Sequence, residues 1–559
     1  MTKNALKKML LLVLLIIFAI SDHNSAYKLS SSLKRSKNVN KNHIRLMNNR
    51  DEIDIEKDLI NMNNNSKGID IIAGDDKTSS IMEAFNSPEM KKSLYFTLLL
   101  TISTICQLLA DTYITSLVGN KGSEFSVARG VVGTILGFAF FVFGFLTDGF
   151  TSKVSRVYGS GKKNDPILGA WIKTAILAGS SAGILTLLAF GPTYKLWLNT
   201  LISPNDPSYG LISVWYWTRL LGMTPNLIYN AIMGVLQGMQ MPLYIVTNNI
   251  FLAVVDIVCN YLFLNVLDLG PVGSPLGINV AFLGSLIYAL IYLARGPVKD
   301  SFNLKPWRQM LPQKENISIF KDGFSLLTRS FLVEFSIYFV AMGCQNFGKP
   351  SLIAYNTVLG ELSKYSYFIP MGLGTATNML GGHLLGKLLS KEKEKSFSID
   401  DQPEFKAFNR LLTFIPIGGM ILGLFFFSML LFTGPSFWCS FFLSVNDPMY
   451  GAITDSVKSL WWIILLIQPI NSMLAVYEGL LYASQSFDYV RKTIISGFLL
   501  VFLPLFITGS FTNVGSIQLV ILSKTCFDAY RALSYALKVH FSLSNDIKEQ
   551  LIIDKNKDF

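Results

Sequence analysis

Twelve apolar runs, separated by short polar breaks, occupy the chain from Leu94 onward and leave few folds open to it. The runs hold 15–26 residues, close to the ~20 residues that an α-helix needs to cross a bilayer. The runs must be helical, because hydrocarbon offers no partner to an unpaired backbone N–H or C=O group. The pattern therefore predicts an all-α polytopic membrane protein with twelve transmembrane helices.

The predicted spans form two sets of six, which predict an N-terminal lobe over residues 93–310 and a C-terminal lobe over residues 311–545. The first set is Leu94–Val118, Val127–Phe150, Leu168–Phe190, Leu211–Leu236, Leu243–Leu267 and Leu276–Leu293. The second set is Phe324–Met342, Leu352–Met371, Leu411–Phe432, Leu460–Leu481, Thr493–Ile507 and Ile517–Val539. A short C-terminal tail, 546–559, follows the second lobe.

Composition supports a membrane location. Hydrophobic residues make up 51% of the 559 residues and charged residues only 15%, whereas soluble proteins are closer to ~25% charged. The net charge of +11 fits basic loops on one membrane face better than nucleic-acid binding. The loops after even-numbered spans hold eighteen Lys and Arg, far more than the loops of the other face. This asymmetry predicts that both termini lie on the positive face.

The sequence offers little material for catalysis or cofactor binding. None of its five cysteines forms a CxxC, and it has only four histidines. A disulfide framework, a zinc site and a membrane enzyme with a His/Asp/metal cluster are therefore not expected. The absence of GxxxxGK[ST] argues against ATP-driven transport by this chain. We predict no enzyme activity and no cofactor.

A leader precedes the first span. Residues 1–26 resemble a signal peptide, with a basic start and an apolar run from Met9 to Ile20. Residues 27–92 resemble a transit peptide that continues into a linker, since Tyr27–Arg50 holds seven Lys and Arg and no acidic residue. The two-part leader predicts a plastid-type, apicoplast-like organelle membrane. The alternative is a signal anchor followed by a polar tail, with a place in the plasma membrane or another endomembrane.

The two halves of the chain repeat a polar motif. NDPSYGLIS, from Asn205 to Ser213, precedes the fourth span, and NDPMYGAIT, from Asn446 to Thr454, precedes the tenth. Two six-span halves predict parallel repeats with a substrate site between them. A single chain holds both lobes, so we expect the monomer to be functional.

Several motifs recur in a known family. The first span ends in ADTYITSLVGNKG, from Ala110, and the loop after the second reads VSRVYGSGKK, from Val154. The tenth span reads QPINSMLAVYEGLLYASQSFDYV, from Gln468, and Arg531 lies in the twelfth. In order and spacing these motifs resemble the multidrug and toxic compound extrusion (MATE) family, and within it the DinF-like branch that includes plastid members.

The resemblance implies a secondary-active antiporter. Two six-helix lobes would form a V-shaped cleft that opens alternately to each face. Organic cations, drugs or amphipathic metabolites would be exported in exchange for H⁺ or Na⁺. The partners would be a small-molecule substrate and the lipid bilayer, with no nucleic acid. The alternative is a flippase for a lipid-linked or amphipathic precursor, which predicts a more cationic cleft without strict ion coupling.

Polar residues within the spans are the candidate ion-coupling sites, because a charge in hydrocarbon is costly. Asp111 matches the family's first-helix aspartate. Asp256 and Asn260 lie four residues apart on one face of the fifth span, where Asn230 of the fourth is expected to face them. Glu334 resembles a glutamate of NorM-like and eukaryotic members. For Glu334 the alternative is a structural pair with Arg329, five residues earlier.

The predicted substrate cleft draws on both lobes. Glu478 takes the place of an aspartate in the plastid branch, and Asn471 stands where NorM-like members have an aspartate. Tyr229 and Met233 suit flat cationic or amphipathic substrates, although aromatics of this region also suit an interfacial belt. Two further features are interpreted as structural: Glu361 and Lys364 neutralise each other, and Arg129 extends its charge to the membrane surface.

Overall fold

The computed structural model describes residues 88–160, 166–295, 313–391, 399, 402–512 and 515–549. The predicted signal peptide, nearly all of the transit-like segment and most of the C-terminal tail lie outside these residues. The described residues form helices joined by short turns, with no strand among them. The predicted all-α class is therefore confirmed.

The helices follow the predicted order of spans. In the first half of the described chain they are α1 (Pro88–Gly119), α2 (Ser123–Val142), α3 (Phe145–Gly159), α4 (Pro166–Phe190), α5 (Tyr194–Leu201), α6 (Tyr209–Leu221), α7 (Met223–Gly238), α8 (Pro242–Tyr261) and α9 (Gly273–Arg295). In the second half they are α10 (Gln313–Gln345), α11 (Lys349–Ile353), α12 (Gly360–Lys391), α13 (Pro403–Phe442), α14 (Tyr450–Ala483), α15 (Phe487–Gly497), α16 (Leu503–Phe511) and α17 (Ile517–Phe541).

Several spans consist of more than one helix. The second span joins α2 and α3, and the fourth joins α6 and α7 across Gly222. π-Helical turns extend α8, connect α11 to α12 in the eighth span, and connect α15 to α16 in the eleventh. In α13, Gly434 has a positive φ of 71°, which interrupts the helix before its last residues.

Nine helical stretches of the described chain are long and apolar enough to cross a membrane by length and composition. The remaining three predicted spans are α6–α7, α11–α12 and α17. The first is divided at Gly222, and α17 carries Lys524, Asp528 and Arg531 within its length. Charged side chains inside a span are rare and usually functional. These less apolar helices are therefore candidates to carry functional residues.

The eighth helix is longer than predicted. The apolar run ends at Met371, but α12 continues for twenty more residues. An added Cβ on Gly374 would lie 2.5 Å from the carbonyl oxygen of Ala475, and one on Gly386 would lie 2.3 Å from that of Arg156. Small residues allow helices to approach closely. The part of α12 after Met371 therefore packs against its neighbours through its glycines. The same glycines lower its hydropathy, so its sequence resembles that of a loop.

The repeated NDPxYG motifs adopt the same turn in both halves. The Oδ1 atom of Asp206 accepts a hydrogen bond from the backbone N–H of Ser208 at 2.8 Å. The Oδ1 atom of Asp447 accepts the matching bond from the N–H of Met449, also at 2.8 Å. Each turn leads into the fourth span of its half, which supports an internal duplication.

Irregular backbone positions recur as well. Gly122 and Gly348 have φ values of 132° and 100°, and they precede the second and eighth spans. Gln240 and Gln485, with φ values of 57° and 59°, precede the fifth and eleventh. Positive φ is uncommon outside glycine. Its recurrence before the second and fifth spans of each half indicates that the two halves have similar backbone conformations.

Candidate functional site

Four charged side chains join the two halves of the chain. Asp111 lies on α1 and Arg129 on α2, whereas Glu361 and Lys364 lie on α12. The Nζ atom of Lys364 donates to Asp111 Oδ2 and to Glu361 Oε1, at 2.7 Å in each case. Arg129 Nη2 donates a short hydrogen bond to Asp111 Oδ1. We call these four residues the interlobe cluster, in which Asp111 contacts one cation from each half.

Polar side chains extend the contact between α1 and α12. Thr115 Oγ1 donates to Glu361 Oε1 at 3.2 Å and accepts from Arg129 Nε at 3.0 Å. The hydroxyls of Thr112 and Tyr365 share a short hydrogen bond across the same boundary. Water can replace hydrogen bonds of this kind when helices part, so their net free energies are modest. The boundary at α1 and α12 is therefore suited to opening.

The interlobe cluster is not fully enclosed. The side chains of Asp111 and Lys364 are 36% and 35% exposed. The protein therefore leaves about a third of the Asp111 side chain uncovered.

Two sequence interpretations change here. The sequence predicts that Arg129 extends toward the membrane surface, but it pairs with Asp111 and its side chain is mostly buried. Glu361 and Lys364 do form the expected pair. Lys364 also contacts Asp111, which lies 253 residues earlier. That second contact depends on the approach of α12 to α1, so it could not be predicted from the sequence pattern around either residue.

Asp256 and Asn260 occupy one face of α8, as predicted. Asn260 Nδ2 donates to Asp256 Oδ1 at 2.8 Å. The carboxylate of Asp256 interacts electrostatically with Asp111, Arg129 and Arg219, but no salt bridge joins it to any described residue. Asp256 is thus a partly buried carboxylate whose bonded neighbour is an amide.

Asn230 does not complete that group by a direct bond. Its Nδ2 donates to the backbone oxygen of Asn226 at 2.8 Å and to Asn226 Oδ1 at 2.9 Å. Asn230 is therefore bound within α7. The buried Oδ1 of Asn260 has no hydrogen-bond partner among the described residues, and it remains an available acceptor beside Asp256.

A second group of charges lies within the C-terminal half. Arg329 Nη2 donates to Glu478 Oε2 at 2.5 Å, and Arg531 Nη2 donates a short bond to Glu478 Oε1. Arg531 Nη1 also donates to Asp528 Oδ1 at 2.9 Å, and Lys524 donates a short bond to Asp528 Oδ2. We call these five residues the C-lobe cluster. Its three cations and two carboxylates leave one positive charge in excess.

Glu334 stands beside this cluster without joining it. The alternative pair of Arg329 with Glu334 is not formed, because Arg329 binds Glu478 instead. Glu334 has no hydrogen bond or ion pair with any residue that the structure describes. Its carboxylate interacts electrostatically with Arg329, Lys524 and Arg531. An ionised Glu334 would balance the excess positive charge of the C-lobe cluster.

Sequence reasoning missed Asp148. This residue lies in the first turn of α3 and interacts electrostatically with Arg329 and Glu478 of the other half. The signal was present, since Asp148 is an acidic residue inside an apolar run and such residues are rare in membrane spans. Asp148 therefore joins the carboxylates that face the boundary between the halves.

The other predicted cleft residues lie in packed surroundings. Asn471 is buried, and its Nδ2 donates to Ser366 Oγ at 3.3 Å. Tyr229 and Met233 are buried in a hydrophobic cluster formed mostly by the first half, and the Tyr229 hydroxyl donates to Asn249 Oδ1 at 2.8 Å. Among the described residues, no group of three or more His, Cys, Asp and Glu is arranged to hold a metal ion.

Comparison with solved structures identifies the fold. A eukaryotic MATE transporter, AtDTX14, superimposes with a TM-score of 0.65, over 83% of this chain and 99% of that one, at 14% identity. A MOP superfamily transporter from Pyrococcus furiosus gives a TM-score of 0.66, over 83% and 98%, also at 14% identity. The chain is thus a polytopic membrane protein with the fold of MATE transporters.

Sequence comparison points to the same family. Residues 100–262 match the family model described as MatE. Multidrug and toxin extrusion protein 1 of Oryctolagus cuniculus is 25% identical over 277 residues, which are 48% of this chain and 45% of that protein. The matched region thus spans less than half of this relative's length. The chain is thus similar to MATE transporters in sequence over part of its length and in fold over most of it.

Proposed function

We propose that this protein is a secondary-active antiporter that exports organic cations or amphipathic metabolites in exchange for H⁺ or Na⁺. The halves would open alternately to the two faces of the membrane, with the carboxylates at their boundary exchanging substrate and coupling ion. Multidrug and toxin extrusion is the activity in the name of the relative from Oryctolagus cuniculus. The bridging position of Asp111 is the observation that carries the proposal.

Asp111 is suited to this task because its contacts combine both halves. One carboxylate oxygen binds Arg129 of its own half and the other binds Lys364 of the opposite half. A change in the charge or occupancy of Asp111 therefore alters an attraction between the halves. Ion binding and movement of the halves would then be linked through one side chain.

Asp256 supplies a second carboxylate close to the first. It lies in the electrostatic field of Asp111 and Arg129 and is bonded only by Asn260 among described side chains. A carboxylate with an amide neighbour can bind either a proton or a sodium ion, both of which are cations that its charge attracts. We therefore place the coupling ion at Asp111 and Asp256, with Glu334 as a further candidate in the C-terminal half.

Transport in liposomes tests the proposal. The purified full-length chain would be reconstituted, and uptake of ethidium would be followed under an imposed pH gradient and, separately, a Na⁺ gradient. We expect one gradient to drive uptake and Asp111→Asn and Asp256→Asn each to abolish it. Asp455→Asn, which alters an exposed aspartate on α14, is the matched control and should transport like the wild type.

The outcomes separate the candidate functions. Uptake that ignores both gradients and both substitutions contradicts coupled antiport. Absence of uptake, together with movement of a labelled lipid between leaflets, would favour a flippase.

We also propose that the chain belongs to the DinF-like branch and resides in a plastid-type organelle membrane. The tenth-span motif supports the first proposal and the composition of the leader supports the second. Fluorescence microscopy of the full chain with a C-terminal fluorescent protein tests the location. Retargeting to another membrane after deletion of residues 27–50 is the expected result, and an unchanged location contradicts it.

A further inference from the structure

We infer that Lys364 is a tethered cation that locks the empty transporter. It occupies Asp111 whenever no coupling ion or substrate cation is bound there, and it must leave before the halves can move. This inference rests on the proposed antiport function and assigns a positioning role to a residue outside the predicted coupling set.

The geometry shows why Lys364 competes with a mobile cation. Both oxygens of Asp111 are already engaged, one by Arg129 and the other by the Lys364 ammonium at 2.7 Å. An arriving cation therefore competes with these two groups for the charge of the carboxylate. The carboxylates of Asp256 on α8 and Glu361 on α12 also lie within electrostatic reach of Asp111, and they add to the attraction for a cation.

Lys364 is the partner that can leave. Arg129 and Asp111 belong to the same half, on α2 and α1, and would move together. Lys364 belongs to α12 of the other half, so separation of α1 from α12 carries it away. The side chain of Lys364 is 35% exposed and that of Arg129 only 14%, which also makes the lysine easier to release.

Glu361 gives the released lysine a second counter-ion. It lies three residues before Lys364 on the same helix and accepts from its Nζ at 2.7 Å. The ammonium therefore keeps a carboxylate when it leaves Asp111, and its charge is never unpaired. Without Glu361, breaking the bridge would leave a partly buried cation alone, which is expensive.

The lock explains how strict exchange is enforced. An antiporter must not change orientation when empty, because that movement would let substrate flow without the counter-ion. The Asp111–Lys364 bridge holds an empty protein in one arrangement, and a cation on Asp111 removes the bridge. The same side chain thus binds the ion and permits the movement.

The test compares three variants of the full-length chain. Lys364→Gln removes the ammonium, and Lys364→Arg keeps a cation at the same position. Lys458→Gln is the matched control, because Lys458 also pairs with an acidic residue three positions away, Asp455, but lies exposed on α14. Liposomes loaded with ethidium would be diluted into buffer with no pH or Na⁺ gradient.

We expect Lys364→Gln to release ethidium about fivefold faster than the wild type, the ratio that corresponds to an ion pair of ~1 kcal/mol. Gradient-driven uptake by the same variant should fall. Lys364→Arg should restore both rates toward the wild type, and Lys458→Gln should leave them unchanged. Unchanged release with intact gradient-driven uptake in Lys364→Gln overturns the lock and leaves antiport standing.

Hydrogen–deuterium exchange gives a readout that needs no substrate. We expect faster amide exchange in the C-terminal part of α1 and the N-terminal part of α12 for Lys364→Gln and for Asp111→Asn, which breaks the same bridge from the other side. Lys364→Arg should exchange like the wild type. If ethidium is not carried at all, the proposed function fails for this probe, and exchange unchanged by both bridge-breaking variants overturns the lock separately.

Discussion

The carboxylate of Asp447 accepts a hydrogen bond, at 2.9 Å, from the backbone N–H of Ser123, the first residue of α2. The matching aspartate of the other repeat, Asp206, accepts from the ammonium of Lys349, the first residue of α11, at 3.1 Å to each oxygen. Each NDPxYG loop thus contacts the start of the second span of the opposite half. The duplicated motif is therefore part of the contact between the halves.

Asp447→Asn should weaken that contact selectively. The carbonyl oxygen of the introduced amide can still accept from Met449 N–H, whereas the amide nitrogen cannot accept from Ser123 N–H. We expect a loss of about 1 kcal/mol of stability, the net contribution of one hydrogen bond. Thermal unfolding of the purified protein measures it, with Asp455→Asn as the exposed control. Equal melting temperatures for the two variants would contradict the proposal that this loop stabilises the contact between the halves.

The contribution of Asp206 should depend on pH. Burial acts to raise the pKa of Asp206, but hydrogen bonds from Ser208 and Lys349 outweigh it and hold that pKa below its ordinary value. A carboxyl group whose pKa is lowered by folding stabilises the folded protein at pH values above its unfolded-state pKa of ~3.9. This stabilisation is lost as the pH falls through the folded-state pKa.

Melting curves of the wild type and Asp206→Asn between pH 7 and pH 3 test this expectation. The variant should melt lower at pH 7, and the difference should shrink toward the acid end. If the difference in melting temperature between the wild type and Asp206→Asn stays constant or grows as the pH falls, the charge of Asp206 does not stabilise the protein in the way described.

Glu478→Gln should be strongly destabilising. The side chains of Glu478 and Arg531 are 4% and 1% exposed, and Arg329 shares the same carboxylate. Removing one member of a buried ion pair typically costs about 3–5 kcal/mol, because the remaining charge is left uncompensated. Chemical or thermal unfolding in detergent measures the loss.

Glu334→Gln is the matched control for that experiment. It makes the same chemical change in the same half, but Glu334 has no ion pair with a described residue. Its stability should change much less, since Glu334 is only half-buried and has no hydrogen bond or ion pair with a described residue to lose. Equal losses in the two variants would contradict the assigned pairing.

Gly159→Ala should push the halves apart where α3 meets α12. A Cβ on Gly159 would lie 2.3 Å from the backbone oxygen of His383, so one of the two helices must shift. We expect a destabilisation of about 1–3 kcal/mol. Gly137→Ala in α2 meets no atom within 4 Å and should be neutral or slightly stabilising, since alanine favours helices. Equal melting temperatures for these variants would contradict the close approach.

Much of the fold was predictable because its determinants are local. The length of an apolar run, the charge of the loop after it and the repetition of NDPxYG are all properties of neighbouring residues. They predicted the all-α class, the order of the spans and the division into two similar halves. The eighth span was the clear exception, because the glycines that continue α12 act only through the helices that they contact.

The candidate site was predictable in its members but not in its pairings. A carboxylate inside an apolar run is conspicuous, so Asp111, Asp256, Glu334 and Glu478 were found from sequence alone. The Asp256–Asn260 hydrogen bond was also within reach, since both residues lie on one helical face.

What only the tertiary structure decided is which charges meet. Asp111 and Lys364 are 253 positions apart, and Glu478 and Arg531 are 53 apart. An apolar run has the same composition whichever way its helix faces, so the partner of a charge depends on the neighbouring helix and its rotation. The amino-acid sequence by itself therefore determined that charged residues lie within the predicted membrane spans. The packing of α1 against α12, and of α14 against α17, determined which of them are paired.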